Sequence, residues 1–145
     1  MAGLRRAALT GEPDAFGATW ALESQRSADE WRAFIATRSI FVAFDDDEPV
    51  GIAAGGDRDG RPDARGLYSM WVAESARGTG VSRELIGLVE AWARDDGASA
   101  LALDVVTHLE HPRALYRRCG FVETGRRSFM HRDPSITLVE MEKNL

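Results

Sequence analysis

The stretch Leu67-Tyr-Ser-Met-Trp-Val-Ala-Glu-Ser-Ala-Arg-Gly-Thr-Gly-Val-Ser-Arg83 narrows the fold more than any other part of the chain. Leu67 to Val72 is apolar and rich in strand formers. A polar turn with Gly78 and Gly80 follows. Then Leu85, Ile86, Leu88, Val89 and Trp92 recur at helical spacing, which predicts an amphipathic helix from about Gly80 to Asp95. A strand that turns directly into such a helix points to an α/β architecture.

The remaining elements fit that frame. Leu4 to Leu9 reads as a helical piece that stops before Gly11 and Pro13. Ser27-Ala-Asp-Glu30 is a capping box, and Trp31, Phe34 and Ile35 behind it predict a helix from about Ala28 to Thr37. Ile40 to Phe44 and Pro49 to Ala54 form a hairpin signal around the polar Asp45-Asp-Asp-Glu48. Asp57 to Gly66 reads as a loop. Leu101 to Val106 is a strand, and Gly97 before it stands where a helix-ending glycine belongs. Pro112 to Cys119 is a short helix with Pro in its first turn, Arg117 and Arg118 in its last and Gly120 beyond. Phe121 to Thr124, extending toward Met130, and Ile136 to Met141 close the chain as strands. The expected fold is α/β: a mixed, mostly antiparallel sheet flanked by helices, in one domain over residues 1–145.

Composition removes several functional classes. A chain of 145 residues is long enough to build its own core. One cysteine, Cys119, excludes an intramolecular disulfide. Eighteen basic against 23 acidic residues give a net charge of −5, which argues against nucleic acid and suits cationic partners such as amines. No apolar run approaches the ~18 residues of a membrane span, and the N-terminus lacks the apolar core of a secretory signal. No membrane partner and a cytoplasmic location are expected. His108 and His111 lack a nearby third ligand, so no metal is expected.

The Gly78–Gly80 turn carries the chemistry. It presents unpaired helix N–H groups and a positive dipole end, which suit a phosphate or pyrophosphate. The Gly-Lys-Ser/Thr of a P-loop is absent, and Arg83 stands where a dinucleotide fingerprint has its third glycine. What remains is Arg77-x-x-Gly80-x-Ser82, joined further on by Leu115-Tyr116 and Gly120-Phe121.

Together these two stretches resemble the GNAT superfamily of acyl-CoA-dependent N-acyltransferases. Arg77, Gly80 and Ser82 match its coenzyme-A loop, with serine in place of the usual final small residue. Leu115, Tyr116, Gly120 and Phe121 match its Leu-Tyr-x-x-x-Gly-Phe segment. Two departures stand out. Leu109 occupies the position of an asparagine that contacts coenzyme A, and the family's usual first strand is missing ahead of the first helix.

The resemblance implies an N-acetyltransferase that moves acetyl from acetyl-CoA, a co-substrate, directly to a primary amine of a small molecule or peptide, with no metal. Backbone groups around Trp71 and Val72 would meet the pantetheine arm. Amides of Gly78, Thr79, Gly80, Val81 and Ser82 would hold the pyrophosphate, with Arg77 adding charge. Tyr116 would protonate the leaving thiolate. Asp104 and Glu140 are open alternatives for the base, as is a water chain. The rival reading is an acyl-CoA-binding regulatory module without turnover. An edge left by the missing strand, with Trp20, Trp31 and Phe34 incompletely covered, predicts a homodimer.

Overall fold

The computed structural model describes all residues 1–145. Helix α1 (Ala2–Gly11) leads through a 3₁₀ turn (Pro13–Ala15) into the one-turn α2 (Trp20–Glu23) and then α3 (Ala28–Ala36). Strands β1 (Ser39–Asp45), β2 (Glu48–Asp57) and β3 (Ala64–Val72) follow, then α4 (Val81–Asp95), β4 (Ala100–Val106), α5 (Glu110–Arg118), β5 (Val122–Met130) and β6 (Asp133–Asn144). One six-stranded sheet runs in the order β1-β2-β3-β4-β6-β5. Only β3 and β4 pair in parallel. The mixed, mostly antiparallel sheet is as expected, and β1 is its edge strand, with no strand ahead of it.

Local chemistry explains the elements that frame the site. Ser27 Oγ accepts from the Glu30 amide, and the Glu30 carboxylate accepts from the Ser27 amide, so the capping box starts α3 as expected. Helix α4 lays Leu85, Ile86, Val89 and Ala93 on the sheet, where they join Val50, Ala53, Leu67, Leu101 and Leu103 in the main core. Leu88 falls outside the buried stripe and is 49% exposed.

Three boundaries differ from the sequence reading. Asp45 and Glu48 pair as strand residues, so the β1–β2 turn is only Asp46-Asp47, with Asp46 left-handed at φ +49°. The Asp57–Gly66 loop is shortened from both sides, since β2 reaches Asp57 and β3 begins at Ala64. The last strand, β6, begins at Asp133 and not at Ile136, and runs to Asn144 beside a β5 that reaches Met130, with Arg127, Ser128 and Phe129 paired to Val139, Leu138 and Thr137.

The parallel ladder is what makes room for a ligand. It holds for Ala64↔Ala100, Arg65↔Leu101 and Gly66↔Ala102, and then β3 and β4 part. A bulge in β3 lies just beyond, where Tyr68 faces Ala54 but Trp71 faces Ile52. Ser69 within it is left-handed at φ +55°. Bulges bend and twist a strand, which re-aims Met70, Trp71 and Val72.

Candidate active site

Where β3 and β4 part, a cleft of about 1070 Å³ opens. Its walls come from the end of β3, the following turn, the start of α4, the length of α5 and the segment after α1.

The turn reaches its geometry through two left-handed glycines, Gly78 at φ +76° and Gly80 at φ +96°. A side chain on either would meet nothing within 4 Å, so glycine is needed for backbone conformation and not for space. Thr79 Oγ1 donates to the Ala76 carbonyl at 2.5 Å and pins the turn from behind. The first helical bond of α4 runs from the Glu84 amide to the Gly80 carbonyl, leaving the Val81, Ser82 and Arg83 amides without helical acceptors. Free amides, open space and the helix dipole together form a cradle that fits a diphosphate.

Of the residues singled out from the sequence, Trp71, Val72, Arg77, Gly78, Gly80, Ser82 and Tyr116 line this one cleft. Thr79 and Val81 do not: Thr79 turns to Ala76, and Val81 packs against the main core. Arg77 is engaged twice. Its Nε donates to the Val72 carbonyl at 3.2 Å, and its Nη2 donates to the Glu12 carboxylate.

Tyr116 sits in the last turn of α5, 8% exposed and edge-to-face with Phe121 at 5.8 Å between ring centroids. Burial pushes its phenol well above the usual range, and the nearby Cys119 and Glu12 add to that. A phenol so placed stays protonated at neutral pH and has a proton to donate. Burial also raises the Cys119 thiol, which therefore acts as a small hydrophobe with its proton on.

Asp104 and Glu140, the two base alternatives, lie outside the cleft. Arg58 donates to both Asp104 oxygens at 2.7 and 2.9 Å and to Glu140 Oε2 at 2.7 Å. Thr124 donates to the other Glu140 oxygen at 2.9 Å. Burial pushes the Glu140 carboxyl up, but the bonds from Arg58 and Thr124 outweigh it and hold the group below its ordinary value. This pair staples the sheet and is not free to take a substrate proton. Leu109 lines the cleft at the N-cap of α5, where no side chain caps the helix.

Sequence reasoning overlooked Glu12, which lines the cleft beside Asp14. It belongs to no motif. Only the fold, which sets α1 against a turn 65 residues away, brings Glu12 to Arg77.

Comparison with known proteins bears on the family and the fold. A profile described as "Acetyltransferase (GNAT) family" matches residues 6–121. The aminoglycoside N(6')-acetyltransferase type 1 of Stenotrophomonas maltophilia is 40% identical over 60 residues, 41% of this chain and 39% of that one. The chain spans between 39% and 47% of the length of the two curated relatives it matches. A GNAT-family acetyltransferase from Streptococcus pneumoniae superposes with a TM-score of 0.78 at 21% identity, covering 99% of this chain and 90% of that one. One from Elizabethkingia anophelis, solved with acetyl-CoA bound, superposes with a TM-score of 0.64 at 15% identity, covering 82% and 84%.

Proposed function

The chain belongs to the GNAT acetyltransferase family, and we propose that it transfers acetyl from acetyl-CoA directly to a primary amine of a small molecule or peptide. The observation that carries this reading is the convergence of the Arg77–Ser82 turn and Tyr116 on one cleft at the parting of β3 and β4. A GNAT structure from Elizabethkingia anophelis holding acetyl-CoA and a curated relative named for aminoglycoside acetylation lend it support.

Acetyl-CoA supplies the acetyl group as a thioester. The free amides at the start of α4 and Arg77 bind its diphosphate. The β3 edge beyond Gly66, which no strand covers, offers Trp71 and Val72 backbone groups to the amide-bearing pantetheine arm. An alkyl amine with a pKa near ~10.4 must shed a proton before it attacks. Tyr116 donates its hydroxyl proton toward the leaving sulfur.

The decisive experiment is release of coenzyme-A thiol from acetyl-CoA in the presence of a panel of polyamines, aminoglycosides and peptides. Release that depends on one amine class supports transfer. Binding of acetyl-CoA with no release from any amine favours the regulatory module instead, a reading to which Leu109 contributes by removing a polar contact.

A cytoplasmic location is part of the proposal, and no helix is long and apolar enough to cross a membrane. So is a homodimer. Helix α3 has no fully buried residue, Trp20, Trp31 and Phe34 are half-buried, and Ile35 and Phe44 are 41% and 62% exposed. Two β1 edges paired antiparallel about Val42 would set Arg38 of one copy beside the Asp45–Asp46 corner of the other. That charge match favours a second copy as the occupant of the edge.

A further inference from the structure

The charged groups of the cleft are sorted by origin. Arg77, Arg83 and Arg118 come from the turn, α4 and α5, while the only carboxylates, Glu12 and Asp14, come from the segment after α1. The two sets meet in the Arg77–Glu12 ion pair, whose side chains are 48% and 43% exposed. Glu12 lines the same cleft as Tyr116, whose phenol is raised by burial first and then by the charges of Cys119 and Glu12. Beside it, the buried indole N–H of Trp71 has no hydrogen-bond acceptor and lies against Gly11, where a side-chain carbon would sit 3.9 Å from the nitrogen.

With its Nε committed to the Val72 carbonyl, Arg77 has only its Nη groups to offer, and a diphosphate at the turn competes with Glu12 for their charge. When the diphosphate takes Arg77, Glu12 is left as an unpaired carboxylate in the cleft that Tyr116 also lines. An ammonium group is the natural replacement partner. Resting on the acetyl-transfer reading, we propose that Glu12 is the carboxylate that receives the acceptor's ammonium group, and that Arg77 masks it until the cofactor's diphosphate draws Arg77 away.

The step balances. The Glu12 carboxylate takes one proton from the ammonium, which leaves a lone pair on nitrogen. The nitrogen attacks the thioester carbonyl, the C–N bond forms and the C–S bond breaks. The departing thiolate takes the Tyr116 proton, and the second nitrogen proton, lost as the amide forms, restores the phenol. Glu12 then gives its proton to water. Ammonium and thioester become amide, thiol and one released proton.

The test is calorimetric titration of coenzyme A into wild type, Glu12→Gln, Arg77→Ala and the double variant. Glu12→Gln removes the competitor for Arg77, so coenzyme A should bind about 2–5-fold tighter, the size of an exposed ion pair. In the Arg77→Ala background the same change should do nothing. With acetyl-CoA and the amine that gives the fastest wild-type thiol release, Glu12→Gln should lower kcat/KM for the amine ~10²-fold or more, with partial rescue by Glu12→Asp. Unchanged or weaker coenzyme-A binding in Glu12→Gln overturns the mask, and an unchanged amine kcat/KM overturns the carboxylate role. A wild type that binds no coenzyme A, or releases thiol with no amine, overturns the acetyl-transfer reading itself.

Discussion

Arg5 and Glu23 form a bidentate ion pair inside the protein, Nε to Oε2 at 3.0 Å and Nη2 to Oε1 at 2.6 Å, with the two residues 4% and 3% exposed. Arg5 Nη1 also donates to Ser69 Oγ at 3.2 Å, on the β3 bulge. One guanidinium thus fastens α1 and α2 to the strand whose end lines the cleft. Glu23→Gln strands the cation, and urea denaturation should show a loss of about 3–5 kcal/mol. The apolar double variant Arg5→Met/Glu23→Leu should recover most of it. A double variant as unstable as the single would mean that the pair itself, and not its half-removal, governs stability.

Gly80 tests the diphosphate cradle. Acetyl-CoA at a hundred times its Kd should stabilise the wild type by about 2.7 kcal/mol, visible as a rise in Tm. Gly80→Asp places a β-carbon at φ +96° and a negative charge at the helix start, and should abolish that rise. Equal rises in both proteins would remove the turn from the binding site.

Tyr116→Phe deletes one hydroxyl and leaves the contact with Phe121 in place. Turnover should fall ~10²–10⁴-fold while coenzyme-A affinity stays nearly constant. An undiminished kcat would reduce Tyr116 to a packing residue.

The Arg58 staple predicts how the protein responds to acid. The Glu140 carboxyl is held below its ordinary value of 4.5 in the folded protein. Its contribution is therefore complete above that value and disappears as pH falls through the lower folded value. Denaturation free energy should decline steeply below about pH 4.5 in wild type. Glu140→Gln should be less stable at neutral pH and show a shallower acid slope. An identical slope in the variant would assign acid sensitivity to other carboxylates, such as Glu123 beneath Arg113.

Sedimentation velocity at tens of micromolar checks the paired β1 edges. A dimer that dissociates in Phe44→Lys is expected. A monomeric wild type would refute the assembly.

Legibility of the chain divides along the length scale of the interactions. The α3 capping box, the Gly78–Gly80 turn and the stripe on α4 each show as a pattern within a few residues, so spacing alone reveals them. Strand order does not: β6 lies between β4 and β5 because of pairings such as Leu103↔Met141, which no local pattern encodes. The site divides in the same way. Gly80, Ser82 and Tyr116 stand in spaced motifs, whereas Glu12 becomes visible only when α1 is placed against Arg77. Asp104 and Glu140 stayed open as alternatives for the base because their common partner, Arg58, sits in a loop 46 and 82 residues away.

The short parallel ladder has a mechanical meaning. The sheet consists of two three-stranded leaves, β1-β2-β3 and β4-β6-β5, whose only shared backbone seam is the three pairs from Ala64↔Ala100 to Gly66↔Ala102. Beyond that seam the two leaves diverge with no backbone bond between their strands, which leaves the far end open. Helix α4 packs on strands of both leaves and Arg58 bridges them to Asp104 and Glu140, so the leaves are braced behind the seam, and anything bound between their free ends is held by two fixed jaws.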